Sequence, residues 1–329
     1  MGAYNGWERA NWFAHLGDDT TLETTRSWER EGPWAGRIKQ EAENVRDNCG
    51  VLDLPGFSRF NLTGAGAAEY LRGLITGGLP KVGRMNLAYF SDTRGRILTE
   101  MSMVRHGEDH FTLITAASAQ WHDFDVLNAR LPEGLVLTDH TTEFSTLVVT
   151  GPKARDVLTA MGTDADLTLG WLSHQTATVA GQACALLRVS FAGELGWEIH
   201  AENAKIPTLY DAVIVAGAKP FGMYALNSLR VDKGYRAWKG DLSTDYSLLE
   251  GGLGRFVKLD KAQDFPGKAA LQNEKQQGSK KMFATLIVNA GASDAPYMST
   301  IWHEGIVVGE TSSGDFGHRV GKSNALGMV

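Results

Sequence analysis

The stretch MNLAYF-SDTRGR-ILTEMSMV, residues 85–104, constrains the fold more than any other in the chain. Two strand-like apolar runs flank Asp92, Thr93, Arg94 and Gly95, residues that suit a tight turn, so the spacing predicts a β-hairpin. Helical and strand patterns surround it without regular βαβ alternation. The sequence predicts helices over 36–49 (Ile38, Ala42 and Val45 on one face, Gly50 at the C-cap), 65–75, 118–131, 152–161, 205–217 and 221–234. FSRFNLTG and HFTLITA read as strands, and ACALLRVSFAGELGWEIH reads as two strands joined at Ala192-Gly193. After Asp260 a charged helix-and-linker stretch leads into MFATLIVN, IWHEGIVVGETSSG and NALGMV, short strands that suggest a small all-β lobe. That lobe is expected to be incomplete, because Val329 falls within a strand pattern. The fold class expected is therefore α+β, with a lead-in over 1–35, a main α+β region over 36–260 and a β lobe over 261–329.

Length and composition exclude several classes. With 329 residues, 43% hydrophobic and 21% charged, the chain can bury a sizeable core. A net charge of -6 gives no nucleic-acid footprint. Cys49 and Cys184 are the only cysteines, so neither a disulfide framework nor a metal spacing is expected. No apolar run is long enough for a membrane span, and the first residues lack the order of a secretory signal, which points to a soluble, cytoplasmic protein. Nine Trp are many, and Trp7, Trp12, Trp34, Trp197 and Trp238 stand in polar or Gly-containing contexts, where some are expected to line surfaces.

Motifs for cofactor chemistry are few. TGAGAAEYL lacks the third Gly of a dinucleotide fingerprint and reads as a turn into a helix. Walker, HExxH, GxSxG and CxxC patterns are absent, so this stretch of chain is not expected to carry its own flavin or nucleophile. Polar residues interrupt apolar strands at Glu100 (between Leu98 and Met101) and at Glu194, beside a Gly corner. LRVDKGYRAWKGD crowds Arg230, Lys233, Tyr235, Arg236, Trp238 and Lys239 together. On pattern alone such acids are more often solvated edge residues, and such a basic cluster more often an exposed face.

Longer runs say more. GYRAWKGDLSTDYSLLEGGLGRFVKLDKAQDFPGKAAL, VTGPKARDVL, SFAGELGWEIH, GIVVGETSSG and GHRVGKSNALG resemble the folate-binding aminomethyltransferase (glycine-cleavage T-protein) family, and within it the C-terminal half of dimethylglycine and sarcosine dehydrogenases. NGWERANWF resembles the linker between the flavin and folate halves of those dehydrogenases. The resemblance implies a three-lobed fold around a tetrahydrofolate channel, with a small β-barrel-like C-terminal lobe.

It also implies roles. Thr99-Glu100 stands where the family has its acidic pair, which makes Glu100 the catalytic carboxylate; dimethylglycine dehydrogenases also carry Glu there. Glu194, in the family's Y-x-G-E pattern, becomes the pterin anchor, since a carboxylate suits an amidine-like N–H edge. Leu87, Ile114 and Ala116 match pterin-lining positions, and Thr112 stands at an aromatic position of the T-protein without supplying a ring. Arg230 matches an arginine that would meet the carboxylates of the glutamate tail, while Tyr235, Arg236 and Trp238 would shape the channel wall.

The reaction implied is transfer of an aminomethyl or methylene unit to tetrahydrofolate, giving 5,10-methylene-tetrahydrofolate in a methylated-amine or glycine-cleavage pathway. The alternatives are a demethylase giving 5-methyl-tetrahydrofolate and a folate-binding module serving a flavoprotein. An iron–sulfur accessory role is disfavoured, since KGYRAWKGD lacks that group's Cys. The partners expected are a small one-carbon donor and a flavoprotein dehydrogenase, separate or fused.

Overall fold

The computed structural model describes residues 1–4, 7–20, 32 and 34–329. Part of the expected lead-in, residues 5, 6, 21–31 and 33, lies outside them. The architecture is α+β, built on three antiparallel or mixed sheets.

The predicted hairpin forms one edge of a five-stranded sheet. Arg84–Ser91 pairs with Ile97–Gly107, which pairs in turn with His110–Ala116, Phe57–Thr63 and Val136–Asp139 beyond. Side chains alternate across a strand, and here the alternation decides everything that follows. Phe60, Leu62, Ala88, Phe90, Met101, Met103, Phe111 and Leu113 point to one face and bury against the helices Ala67–Leu74 and Gln120–Asn128. Each such large apolar side chain contributes about 1.5–3 kcal/mol on burial. The other face is left to Met85, Leu87, Tyr89, Glu100, Ser102, Val104, Thr112, Ile114 and Ala116.

A six-stranded sheet takes its strands from distant parts of the chain. Its order is His174–Val179, Gln182–Leu187, Gly196–Glu202, Phe144–Thr150, Gly50–Asp53 and Lys219–Pro220. The helices Ala154–Ala160 and Ile206–Val215 cover it, around a core that includes Val149, Leu158, Trp197 and Leu209. The two sheets meet where Met85, Val104 and Ile114 pack on Leu187. The C-terminal lobe is an open four-stranded antiparallel sheet, ordered Phe283–Val288, Lys322–Met328, Ile306–Gly317, Thr300–His303; it does not close into the barrel-like form expected. It joins the helix Met223–Asp232 through Val231, Phe283 and Leu326.

Several local expectations change. The first long helix spans Ala35–Asp47 and is capped at Asn48, so Gly50 does not end it; Gly50 opens a strand. Glycine is needed there because a Cβ would stand 2.6 Å from Val45 Cγ2 and 2.7 Å from Phe221 Cδ1. IWHEGIVVGETSSG is two strands, turning at Glu304-Gly305, both with positive φ. Trp12, Trp34 and Trp197 do not line a surface: they are buried, the first two among Ile38, Ala42, Phe221 and Leu226. Among the described residues the exposed tryptophans are Trp121, Trp171 and Trp302. Cys49 and Cys184 are free, buried thiols, with Cys49 pushed up to about 12 and Cys184 to about 11, chiefly by burial. Among the described residues no helix is long and apolar enough to cross a membrane, and no group of three His, Cys, Asp or Glu could hold a metal ion.

Candidate functional site

Cross-strand register gathers the expected site residues onto the free face of the five-stranded sheet. Leu87, Ser102 and Ile114 form one row across three strands; Tyr89 and Glu100 stand opposite each other in the next. Thr112 lies two residues from Ile114 on the same face, opposite Val104, and Ala116 two residues the other way. Four residues expected to line a pterin pocket and the expected catalytic acid therefore share one surface.

Glu100 is half-buried there. Desolvation pushes its carboxyl up to about 7, against the opposing pull of a hydrogen bond from the Tyr89 hydroxyl and of the Arg236 charge; Asp123 adds to the upward push. Asp123 is fully buried behind the sheet, accepting from Thr115 Oγ1 at 2.6 Å. Thr115 Oγ1 also lies 3.3 Å from the Glu100 carbonyl, so one hydroxyl ties the acid's backbone to a second carboxylate. Tyr89 is buried and its hydroxyl is pushed well above the usual phenol range, first by burial and then by the Glu100 charge. A carboxyl poised near neutrality, with a positioned donor beside it, can take or return a proton at physiological pH.

The loop after the helix Met223–Asp232 covers this row. Arg236 reaches the Tyr89–Glu100 pair, with its guanidinium carbon 4.3 Å from the Phe283 ring centroid. Trp238 packs into the cluster of Tyr89, Ile97, Leu242 and Leu248. Arg236 Nε and Trp238 Nε1 are buried donors with no hydrogen-bond partner among the described residues, and unmet buried donors are costly unless a ligand or water completes them.

The same loop reaches the second acid. Tyr235 stacks on Phe191 at 5.9 Å, and Gly193 lies so close to Lys233 that a Cβ there would stand 2.4 Å from its Cγ. Gly193 takes φ +77, and the corner it makes carries Glu194, which is ion-paired with Arg319 of the C-terminal lobe. The loop thus meets the corner before Glu194, through Lys233 and Tyr235, and the Tyr89–Glu100 pair, through Arg236.

Arg230 needs correction. It is buried, donating to Asn227 Oδ1, to the Tyr235 carbonyl, to Ser313 Oγ at 2.7 Å and to Asp241. Asp241 in turn accepts from the Ala237 backbone N–H and from Ser312. With every edge of its guanidinium engaged, Arg230 fastens the loop 235–241 to the C-terminal lobe and has no charge to offer a glutamate tail. Sequence reasoning missed Tyr89, Asp123 and Arg319. Counting register across the hairpin would have found Tyr89; nothing local marks the other two.

A wider groove of about 500 Å³, lined by Ala65, Glu69, Tyr70, Arg130 and Gln263 among others, lies away from these residues.

Comparisons with known proteins show the family and the fold. The GCVT N-terminal domain model matches residues 1–261. Mitochondrial dimethylglycine dehydrogenase of Mus musculus is 34% identical over 338 residues, covering 100% of this chain and 39% of that protein. The chain therefore spans well under half the length of that relative. An aminomethyltransferase of Desulfitobacterium hafniense is 28% identical and matches 92% of this chain and 84% of its own length. The structure of the glycine cleavage system aminomethyltransferase T from Bartonella henselae superposes with a TM-score of 0.85 at 22% identity, covering 100% of this chain and 85% of that one.

Proposed function

The chain belongs to the GCVT, or T-protein, family of aminomethyltransferases, and from that premise we propose that it transfers a one-carbon unit to tetrahydrofolate, giving 5,10-methylene-tetrahydrofolate from an aminomethyl or iminium donor. The observation that carries the reading is Glu100: a half-buried carboxyl held near neutrality, paired with Tyr89, on the sheet face that the helices leave free.

The residues present fit such a ligand. Leu87, Ile114 and Ala116 offer a flat apolar wall, Glu194 a carboxylate, and the unpartnered Arg236 Nε and Trp238 Nε1 two donors. Bound tetrahydrofolate would supply the nucleophilic amine that takes up the carbon. Glu194 would anchor the pterin through paired N–H···O bonds once Arg319 lets go. Glu100 takes or returns a proton at its carboxylate oxygen, and in its ionised form steadies positive charge developing on the reacting amine. Tyr89 orients it, and Arg236 holds its ionised form in reach of neutral pH. The backbone of the covering loop, fastened by Arg230, excludes water from the row.

The donor is proposed to come from a flavoprotein dehydrogenase, as a partner or as a fused half. What supports this is the dimethylglycine dehydrogenase relative, of which this chain matches 39%. The functional test separates binding from chemistry. Glu100→Gln should bind tetrahydrofolate within a few-fold of the parent while losing turnover by about 10²-fold or more. Glu194→Gln should lose affinity first. If Glu100→Gln turned over normally, the assignment of the acid would be wrong.

A further inference from the structure

At the far end of the two-sheet interface lies a cleft of about 320 Å³ that shares only Ile114 with the wall proposed for the folate. His106 projects into it from the strand that carries Glu100, six residues further on, which at about 3.3 Å per residue puts the two roughly 20 Å apart. The packed cluster of Met85, Val104, Ile114 and Leu187 stands between.

The cleft gathers Arg59, Lys205 and four imidazoles, His106, His140, His174 and His200, among apolar and small side chains such as Val104, Ala185 and Leu187. Arg59 is 7% exposed, lies 5.1 Å from the Phe144 ring centroid, and has no carboxylate within ion-pair distance among the described residues. Its only side-chain partner there is His200 Nδ1, which also meets Thr146 Oγ1 at 3.1 Å. Glu198 sits behind that ring, 3.0 Å from His200 Nε2, so the nearest acid is screened from the cleft by an imidazole. His174 packs edge-on to His106 at 4.5 Å, and both of its ring nitrogens are buried without a hydrogen-bond partner among the described residues. His106 Nε2 is 2.7 Å from Thr112 Oγ1, whose own proton goes to Asn61. At the rim, Glu202 and Lys205 pair at 2.9 Å, so those two charges cancel locally, and His140 Nδ1 lies 2.9 Å from Glu143. Burial holds His106 and His174 down to about 4, leaving both neutral, and draws Arg59 down to about 10, with Glu198 the opposing charge, acting only from behind His200.

A buried guanidinium without a facing acid is expensive unless something anionic completes it. We infer that this cleft is a second ligand site, for a compact organic monocarboxylate: the carboxylate on Arg59 and His174, the apolar body on Val104, Ala185 and Leu187. One positive charge among neutral imidazoles matches a monoanion rather than a phosphate dianion. The volume lies at the low end of small-molecule sites.

The probe is benzoate, with benzamide as its uncharged isostere and inorganic phosphate as the dianion, titrated into protein labelled with ¹⁵N-histidine. Benzoate should shift the His174 and His106 ring resonances saturably at millimolar concentration, with and without saturating tetrahydrofolate. Benzamide and phosphate should bind at least about tenfold more weakly, as should benzoate to Arg59→Gln. His174→Phe keeps the ring's bulk and removes both nitrogens, so a folded His174→Phe protein should also lose benzoate affinity. No saturable His174 shift in the parent protein, equal binding of benzamide or of phosphate, displacement by tetrahydrofolate, or undiminished affinity in His174→Phe would each overturn the inference.

Discussion

Replacing Tyr89 by Phe removes one oxygen from the site and leaves the ring packed on Phe256, 4.9 Å away centroid to centroid. The lost group is the hydroxyl that donates to Glu100 and favours its ionised form. A hydrogen bond to a charged group contributes about 1.5–3 kcal/mol, and one pKa unit corresponds to about 1.4 kcal/mol, so the Glu100 carboxyl should rise by about 1–2 units. Glu100 keeps part of its surface toward solvent, which favours the lower end, so a value starting at about 7 should move to about 8. The assay is a ¹³C-carboxyl titration of selectively labelled Glu, run beside the pH profile of one-carbon transfer. The limb of the profile that reports ionised Glu100 should move up with the titration, while the fold, read by thermal unfolding, stays. If the midpoint stayed in place or fell, Tyr89 would not be the group that holds the acid, and the argument from cross-strand register would fail with it.

Other consequences follow from the same contacts. Arg319→Met releases Glu194 from an ion pair; such part-exposed pairs contribute up to about 1 kcal/mol, so tetrahydrofolate should bind up to about fivefold more tightly, and a tenfold weakening by calorimetry would show that Arg319 meets the ligand instead of competing with it. Arg230→Met strands the buried Asp241 and should cost about 3–5 kcal/mol of stability in denaturant unfolding; an unchanged midpoint would contradict the fastening role. Glu41 is buried, accepts the backbone N–H groups of Phe13 and Gly222, and is pushed by burial from 4.5 to about 7. Its folded value lies above its unfolded one, so stability should fall by up to about 3 kcal/mol as pH rises from about 4.5 to about 7; Glu41→Gln should flatten that slope, and an unaltered slope would refute the reading. Gly151 takes φ +134 with an added Cβ 2.3 Å from the Asn48 carbonyl, so Gly151→Ala should cost more than about 1 kcal/mol, measurable as a lowered unfolding temperature.

Alternation made much of this legible in advance. Once MNLAYF and ILTEMSMV are read as a hairpin, period-two parity alone puts Leu87 and Glu100 on one face and Met101 and Met103 on the other, as found. Glu100 and Glu194 were conspicuous because each interrupts an apolar strand pattern. Arg230 was misread for a physical reason: its partners Asp241 and Ser313 lie 11 and 83 residues away, and a basic cluster looks the same in sequence whether its charges face a ligand or each other's counter-ions. Trp12 and Trp34 were misread because Gly and polar neighbours describe the local chain, whereas burial is set by Phe221 and Leu226, two hundred residues on. The Arg59 cleft was invisible for the same reason, since its histidines come from strands of two different sheets.

The central claim is that carbon leaves a methylated amine and reaches tetrahydrofolate at the methylene level on this chain. It is tested most directly by feeding ¹³C-methyl dimethylglycine to a dimethylglycine-oxidising flavoprotein with tetrahydrofolate, and following the labelled folate by mass spectrometry with and without this protein. The account predicts labelled 5,10-methylene-tetrahydrofolate, formed well above the rate of free formaldehyde condensation and reduced to that rate by Glu100→Gln. Labelled 5-methyl-tetrahydrofolate, or a rate that the protein does not change, would contradict it.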